Sequence, residues 1–244
     1  MILEKLRTLN IKDKDYIIVN IPEYKLRFFE DNNLKSTHKV IVGKYGTQTP
    51  EFTAKLENII TYPTWSVPSS IKNKEMLPSA KRNPGYFRRN NMTLYGNGRR
   101  INPDSVNWSA LKSFPFSVVQ GSGNGNALGI IKFNFTNKYG VYIHDTPTKS
   151  LFKNAIRSYS HGCIRCENPF DLAKIILLRD KNSVTPDDFD AIMSKRQHQS
   201  IKLNTPIPIY IVYYSVVGDD EGKLIVLRDI YEKDKALTKT MFGN

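Results

Sequence analysis

The chain is poor in the residues that most chemistries require. Its 244 residues include only two cysteines and four histidines. Two cysteines cannot form a disulfide framework. Acidic residues are also scarce, with 23 Asp+Glu against 36 Lys+Arg and a formal net charge of +13. That balance implies an acidic partner: nucleic acid, an anionic membrane surface or an anionic wall polymer. No apolar run approaches the ~18–20 residues of a membrane span, so no integral membrane segment is expected. The start, Met1-Ile2-Leu3-Glu4-Lys5, carries an acid and is followed by no apolar stretch, so it does not read as a signal peptide. Either the protein stays in the cytoplasm or its targeting segment lies outside this sequence.

Core-forming residues are plentiful. With 40% hydrophobic residues, 13 Tyr and 12 Phe, the chain can bury a proper core and is not a disordered one. At roughly 100–200 residues per domain, it is one large domain or a domain with an insertion. Residues 16–21 are β-branched and end at Pro22; 25–29 follow, then an Asp31-Asn32-Asn33 turn and a strand to Gly43. Residues 43–50 read as a loop and 52–67 as strand again. The stretch 69–112 changes character, holding nine basic residues and two acidic ones, more than half of the net charge. It reads as an insertion between sheet strands. Gly121-Ser122-Gly123-Asn124-Gly125-Asn126 is a flexible loop by composition. Residues 129–135 and 140–144 form two further strands. Phe170, Leu172, Ala173, Ile176 and Leu177 share one face of a helix over 169–180. A second helix opens at Pro186 with Thr185 as N-cap. Strands return at 207–214 and 224–228.

Both cysteines and two of the four histidines fall within 144–166: His144, His161, Cys163 and Cys166. A thiol attacks as thiolate, and an adjacent imidazolium or backbone N–H groups at a helix start lower its pKa from ~8.5 into roughly the 3.5–7.5 range. Cys163 follows a glycine turn and precedes a helix on this reading, so both influences are expected at it. The same amides can hold an oxyanion, and Gly162 permits the close backbone approach that this needs. His144, arriving from another strand, supplies a base.

The run Ser160-His161-Gly162-Cys163-Ile164-Arg165, with His144 ahead of it and residues 145–159 between, resembles the active-site signature of the YkuD-type L,D-transpeptidases. Tyr142-Ile143-His144-Asp145-Thr146-Pro147, Asn126-Ala127-Leu128-Gly129 and Thr64-Trp65-Ser66-Val67-Pro68 are similar to the YcbB-type branch. So are Val19-Asn20-Ile21-Pro22 and Asp229-Ile230-Tyr231. The resemblance implies a mostly β (α+β) fold, a YkuD-like β-sandwich catalytic core with a few helices. That core comprises 14–71 and 129–235, with a substrate-capping subdomain inserted at 72–128. It also implies a reaction without cofactor or metal. The enzyme cuts a peptidoglycan tetrapeptide stem after its third residue, holds the acyl group on Cys163 and passes it to a diaminopimelate amine, giving a 3→3 crosslink. Cys163 is then the nucleophile, His144 the general base, and Gly162 and His161 shape the oxyanion loop. Tyr142, Trp65, Arg165 and Ser160 bind substrate. The same acyl-enzyme serves an L,D-carboxypeptidase or attachment of a protein to the wall. Carbapenem β-lactams are expected covalent inhibitors, and the family places the protein in the periplasm or cell envelope.

The chain departs from the pattern in two places. Cys166 stands where the family has a small apolar residue, making Cys163-Ile164-Arg165-Cys166 a C-x-x-C. Cys166 is either a packed hydrophobe or the partner in a reversible disulfide. The glycines of 121–125 replace a Pro-Gly pair and suggest a looser insertion. Rival readings carry less. Four zinc-capable residues are present, but with neither a second C-x-x-C nor the H-x-E and P-C-x-x-C of zinc deaminases. A thioredoxin-like site needs a βαβ context that these β-rich surroundings lack. A nucleic-acid module is suggested by Arg88-Arg89 and Arg99-Arg100 among aromatics, but no recognised binding motif accompanies them, so no nucleic acid is expected. Asp145 points away from His144 on strand alternation and is expected to make structural hydrogen bonds, leaving a backbone carbonyl to orient the imidazole. His38 and His198 are expected at the surface or satisfied internally.

Overall fold

Tyr16-Ile17-Ile18-Val19-Asn20, the first strand legible in the sequence, is β1 (Tyr16–Asn20) in the computed structural model, which describes residues 11–218 and 221–235. The segment read for a targeting signal, residues 1–5, lies outside the described residues. β2 (Lys25–Glu30) returns antiparallel to β1 and passes into β3 (Asn33–Gly43) through Asp31 and Asn32. Both turn residues have positive φ, 49° and 62°, the conformation a two-residue hairpin turn of matching twist demands. β4 (Phe52–Thr61) follows.

The chain then leaves this sheet. β5 (Trp65–Ser66), β6 (Met92–Gly96), β7 (Arg99–Ile101) and β8 (Ser117–Gln120) form a separate four-stranded sheet in the order β5-β8-β6-β7. Between β5 and β6 a helical run comprises α1 (Ser69–Ile71), a π-helical turn (Lys72–Met76) and α2 (Leu77–Arg82), with α3 (Tyr86–Arg89) after it. These elements bury their own cluster: Val67, Met76, Leu77, Ala80, Phe87, Leu94, Trp108, Phe114 and Val118, with Trp65 and Ile71 packed against it. The expected loosening at 121–125 is not what the structure shows. Buried Gln120 donates to the Asn90 and Gly125 carbonyls (3.0 and 3.2 Å) and accepts from the Ala127 amide (2.9 Å). Buried Asn126 donates to the Gly121 carbonyl (2.8 Å) and accepts from the Leu128 amide (2.8 Å). Two side-chain amides do the pinning that a proline would have done through its fixed φ.

β9 (Ile131–Asn134), β10 (Ile143–His144), β11 (Ser158–Ser160), β12 (Ile164–Cys166) and β13 (Gln199–Val212) complete the large sheet. The order is β11-β3-β12-β10-β9-β4-β13-β1-β2, and the sheet closes because β2, at one end, also pairs with β3, next to the other end. β3 makes the closure by changing partner. Residues 33–39 pair with β2, Val40 and Ile41 with β12, and Val42 and Gly43 with β11. α4 (Pro169–Asp180) buries Leu172, Ala173, Ile176 and Leu177 in the core of this sheet, as its periodicity predicts. α5 (Pro186–Ser194) starts at a Thr185–Asp188 capping box. β13 begins at Gln199, well before the expected 207, and a register irregularity between Lys202 and Ile207 interrupts its pairing with β4. Near this break Asp180 accepts the Asn204 and Thr205 amides (2.8 Å each). The architecture is mostly β with few helices. Among the described residues no helix is long and apolar enough to cross a membrane.

Candidate active site

β9, β10 and β12 lie side by side, and their register decides what the site contains. His144 on β10 is paired with Lys132 on β9 and with Arg165 on β12. Directly opposed residues of neighbouring strands share a face, so two cations flank the imidazole. The next residues along, Phe133, Ile143 and Ile164, are likewise paired across the strands and belong to the buried core. Seven of the eight candidate residues line one cavity of about 440 Å³: Cys163, His144, His161, Tyr142, Trp65, Arg165 and Ser160. β5 and the helical run after it supply Trp65, Ile71 and Glu75 to the same wall. Gly162 lies behind it, at φ +116°, a conformation that favours glycine.

His144 is buried, and its Nδ1–H donates to the Asp145 carbonyl at 2.5 Å. A carbonyl only accepts, so Nε2 is left with the lone pair. Burial, together with the charges of Arg165 and Lys132, pushes the imidazole down to about 3, so it is neutral at physiological pH. The Asp145 carboxylate faces elsewhere. It accepts from the Ile130 amide (3.0 Å) and pairs with Lys149. The backbone-carbonyl orientation expected from strand alternation is therefore the one observed.

Cys163 does not precede a helix. The chain passes from it into β12, and α4 begins only at Pro169. The helix-terminus effect expected from the sequence is absent, and burial pushes the Cys163 thiol up. Tyr142, through its backbone and hydroxyl, and the charges of Lys132 and Arg165 counter that shift. The thiol and the imidazole that line this cavity are thus both neutral at rest, not a preformed thiolate–imidazolium pair. The Sγ–H is directed at the Gly140 carbonyl, 3.8 Å away. Tyr142 packs edge-on against His144 with ring centroids 5.5 Å apart, and the Lys132 ammonium sits 4.2 Å from the centroid of the Tyr142 ring.

The Ser-His-Gly-Cys turn is held from within. Ser160 Oγ donates to the Cys163 carbonyl (2.5 Å) and accepts from the Gly162 amide (3.0 Å), so its hydroxyl is committed to the turn although the residue lines the cavity. The His161 side chain leaves the loop and donates from Nε2 to Glu75 Oε1 of the insertion at 2.6 Å. Arg165 has a buried Nε without a protein partner. Cys166, three residues from the nucleophile candidate, is fully buried in the hydrophobic core. Both cysteines are free, and the burial of Cys166 fits the packed-hydrophobe reading. The four zinc-capable residues are dispersed likewise: Cys166 enters the core, and His161 turns to Glu75. His38 and His198 bond through Nδ1 to the Glu167 and Tyr62 carbonyls (3.0 Å each), and His38 is buried.

The sequence reading missed Lys132, Glu75 and the support of the turn by residues 44–49. Period-two alternation on β9 would have set Lys132 opposite the core residues Ile131 and Phe133. The other two depend on contacts distant in sequence that leave no local signal.

Residues 14–208 match the YkuD family, described as the L,D-transpeptidase catalytic domain. A protein of Haemophilus influenzae named "Putative L,D-transpeptidase" is 33% identical over 223 residues, 91% of this chain and 45% of that protein. The chain thus spans less than half the length of this curated relative. Among solved structures, an L,D-transpeptidase from Mycobacterium smegmatis aligns at 14% identity and a TM-score of 0.36, over 82% of this chain and 58% of that one. The catalytic domain of an Enterococcus faecium L,D-transpeptidase acylated by ertapenem aligns at 12% identity and 0.37, over 83% of this chain and all of that one. By the family match over 14–208, this chain belongs to the YkuD family of L,D-transpeptidase catalytic domains.

Proposed function

We propose that the chain forms 3→3 crosslinks in peptidoglycan through a thioester on Cys163. One observation carries the reading. Cys163 lines the same cavity as His144, whose Nδ1 proton is tied to Asp145 and whose Nε2 is left as acceptor. The Cys163 sulfur attacks the carbonyl carbon of the third stem residue, and its proton passes to His144. The resulting oxyanion is held by a main-chain amide at the nucleophile turn. The intermediate collapses as His144 returns the proton to the departing D-Ala amine, leaving a thioester. A diaminopimelate side-chain amine then attacks the thioester, His144 takes its proton, and the proton goes back to sulfur as the new amide forms. Proton transfer from thiol to imidazole during attack suits a pair that is neutral at rest, since no ion pair must be sustained in a buried cleft.

Arg165, with its buried unpaired Nε, is the partner assigned to a substrate carboxylate. Tyr142 and Trp65 wall the donor pocket. The inserted lobe, assigned to 72–128 with Trp65 at its root, caps the substrate, and its positive charge attracts the carboxylates of the stems. The site of action assigned is the cell envelope. A carbapenem acylates Cys163, as ertapenem acylates the Enterococcus faecium domain.

The test is incubation with a disaccharide-tetrapeptide, with products read by mass spectrometry. A crosslinked dimer with release of D-Ala, lost in Cys163→Ala, is the expected result. A free tripeptide alone makes the protein an L,D-carboxypeptidase with water as acceptor, and an acceptor protein carrying a stem makes it an attachment enzyme. No product at all refutes the acyl-enzyme.

A further inference from the structure

The loop of residues 43–50 carries no chemistry of its own, yet it lies against the back of the nucleophile turn. The Ser160 carbonyl accepts from the Lys44 amide (3.0 Å) and from Thr47 Oγ1 (3.1 Å). Thr49, with no exposed surface, donates from Oγ1 to the Gly162 carbonyl (2.8 Å) and accepts from the Gly43 amide (2.9 Å). The loop folds back so closely that a Cβ at Gly43 would lie 2.1 Å from the Thr47 carbonyl oxygen and 2.7 Å from the Thr49 nitrogen. From the far end of the chain, Tyr231 locks it. The Tyr231 hydroxyl donates to the Gly43 carbonyl (2.6 Å) and accepts from the Thr49 amide (3.2 Å). The Tyr231 amide in turn donates to the Tyr213 hydroxyl (2.9 Å), which donates to Asp229 (2.5 Å).

The consequence lies in the Gly162–Cys163 peptide. It is trans, so its C=O and N–H point in opposite directions. A hydroxyl that holds the Gly162 carbonyl toward the interior therefore turns the Cys163 N–H the other way. The neighbouring amides are spent, Gly162 on Ser160 Oγ and Ile164 on the Tyr142 carbonyl (3.0 Å each). We propose that Thr49, clamped by Tyr231, is a positioning residue that aims the Cys163 amide as the oxyanion donor. This rests on the acyl-enzyme reading above and adds to it the device that sets its hole.

Two reactions of the same sulfur separate positioning from mere support. Acylation by imipenem passes through an oxyanion, whereas alkylation by iodoacetamide displaces iodide and forms none. Losing one oxyanion donor costs ~10²–10³-fold in rate, and misaiming it costs about 10–100-fold. Thr49→Val is therefore expected to slow acylation about 10–100-fold while alkylation changes less than about twofold, with Thr49→Ser restoring acylation. Tyr231→Phe, which keeps the ring and removes only the hydroxyl, is expected to give a smaller fall of the same kind, and it serves if Thr49→Val does not fold. Acylation unchanged in both variants overturns the proposal, and so does an equal fall in both reactions, which signifies general damage to the turn. If the unaltered protein is alkylated at Cys163 but neither acylated nor able to process the disaccharide-tetrapeptide, the acyl-enzyme reading fails and the positioning proposal with it.

Discussion

Replacing Gly129 by alanine would strike the structure that holds His144, the base of the proposed reaction. Gly129 has φ +62°, and a Cβ there would lie 2.3 Å from Asp145 Oδ2 and 2.5 Å from Asp145 Cβ. Asp145 is buried, and its carboxylate holds the Ile130 amide while its carbonyl holds His144 Nδ1. Two costs add. Alanine in the left-handed region costs ~1–2 kcal/mol. Displacing the carboxylate from the Ile130 amide loses a charged, buried hydrogen bond worth ~1.5–3 kcal/mol. The sum is about 2.5–5 kcal/mol, roughly 10 °C in the melting temperature of a domain this size. Gly98 is the internal control. It too has positive φ, +74°, but nothing lies within 4 Å of where its Cβ would stand. Gly98→Ala should therefore cost only the backbone share, ~1–2 kcal/mol. Urea unfolding of both variants measures the difference, and imipenem acylation reports whether His144 has moved. Equal destabilisation by the two substitutions would refute the argument, because it would mean that Asp145 yields without loss.

Three further outcomes follow from the site. Because burial raises the Cys163 thiol above its usual value, its rate of alkylation by iodoacetamide should still be climbing above the ordinary thiol range of ~8.5; a plateau below about pH 7 would reveal a preformed ion pair. Because His144 is held down to about 3 in the folded protein, the unfolded chain takes up a proton on it below ~6.5 while the folded one does not. That share of stability is present above ~6.5 and is lost as the pH falls toward 3, at up to ~1.4 kcal/mol per unit. Urea midpoints at about pH 6.5 and 4 should diverge more in the unaltered protein than in His144→Asn, and identical slopes would sink the point. Glu75→Ala removes a partly exposed partner of His161, so stability should change by less than ~1 kcal/mol. The KM for the tetrapeptide donor should nevertheless rise severalfold as the insertion loses its tie to the catalytic loop, and an unchanged KM would show that the tie plays no part.

Much of the molecule was legible in the sequence alone. The β-branched runs, the Asp31-Asn32 turn, the apolar face of 169–180 and the Thr185 cap are local signals, and each element formed where its signal lay. The Ser160–Arg165 run with His144 upstream pointed to the family. The errors have a common source. Cys163 was placed ahead of a helix because Pro169 and the helical pattern are only a few residues away, but β12 intervenes and removes the terminal dipole. The C-x-x-C spacing left two readings open, and the burial of Cys166 in the core, where a small apolar side chain packs, fits the hydrophobe. The glycines of 121–125 suggested looseness because composition does not reveal that Gln120 and Asn126 reach back to tie the loop.

What the sequence determined by itself was the family and the candidate groups, a thiol and an imidazole at motif spacing, because motif, turn and periodicity are properties of short stretches. Only the tertiary structure decided how those groups are poised. The pairing of β9, β10 and β12 buries His144 and sets Lys132 and Arg165 on either side of it, and burial first, with those two charges, keeps the imidazole neutral. The closure of the sheet through β3 brings Gly43 and Thr49 behind the nucleophile turn, where Tyr231 meets them from the other end of the chain. Closure joins segments more than a hundred residues apart, and register is a relation between strands, so no pattern within one segment encodes either.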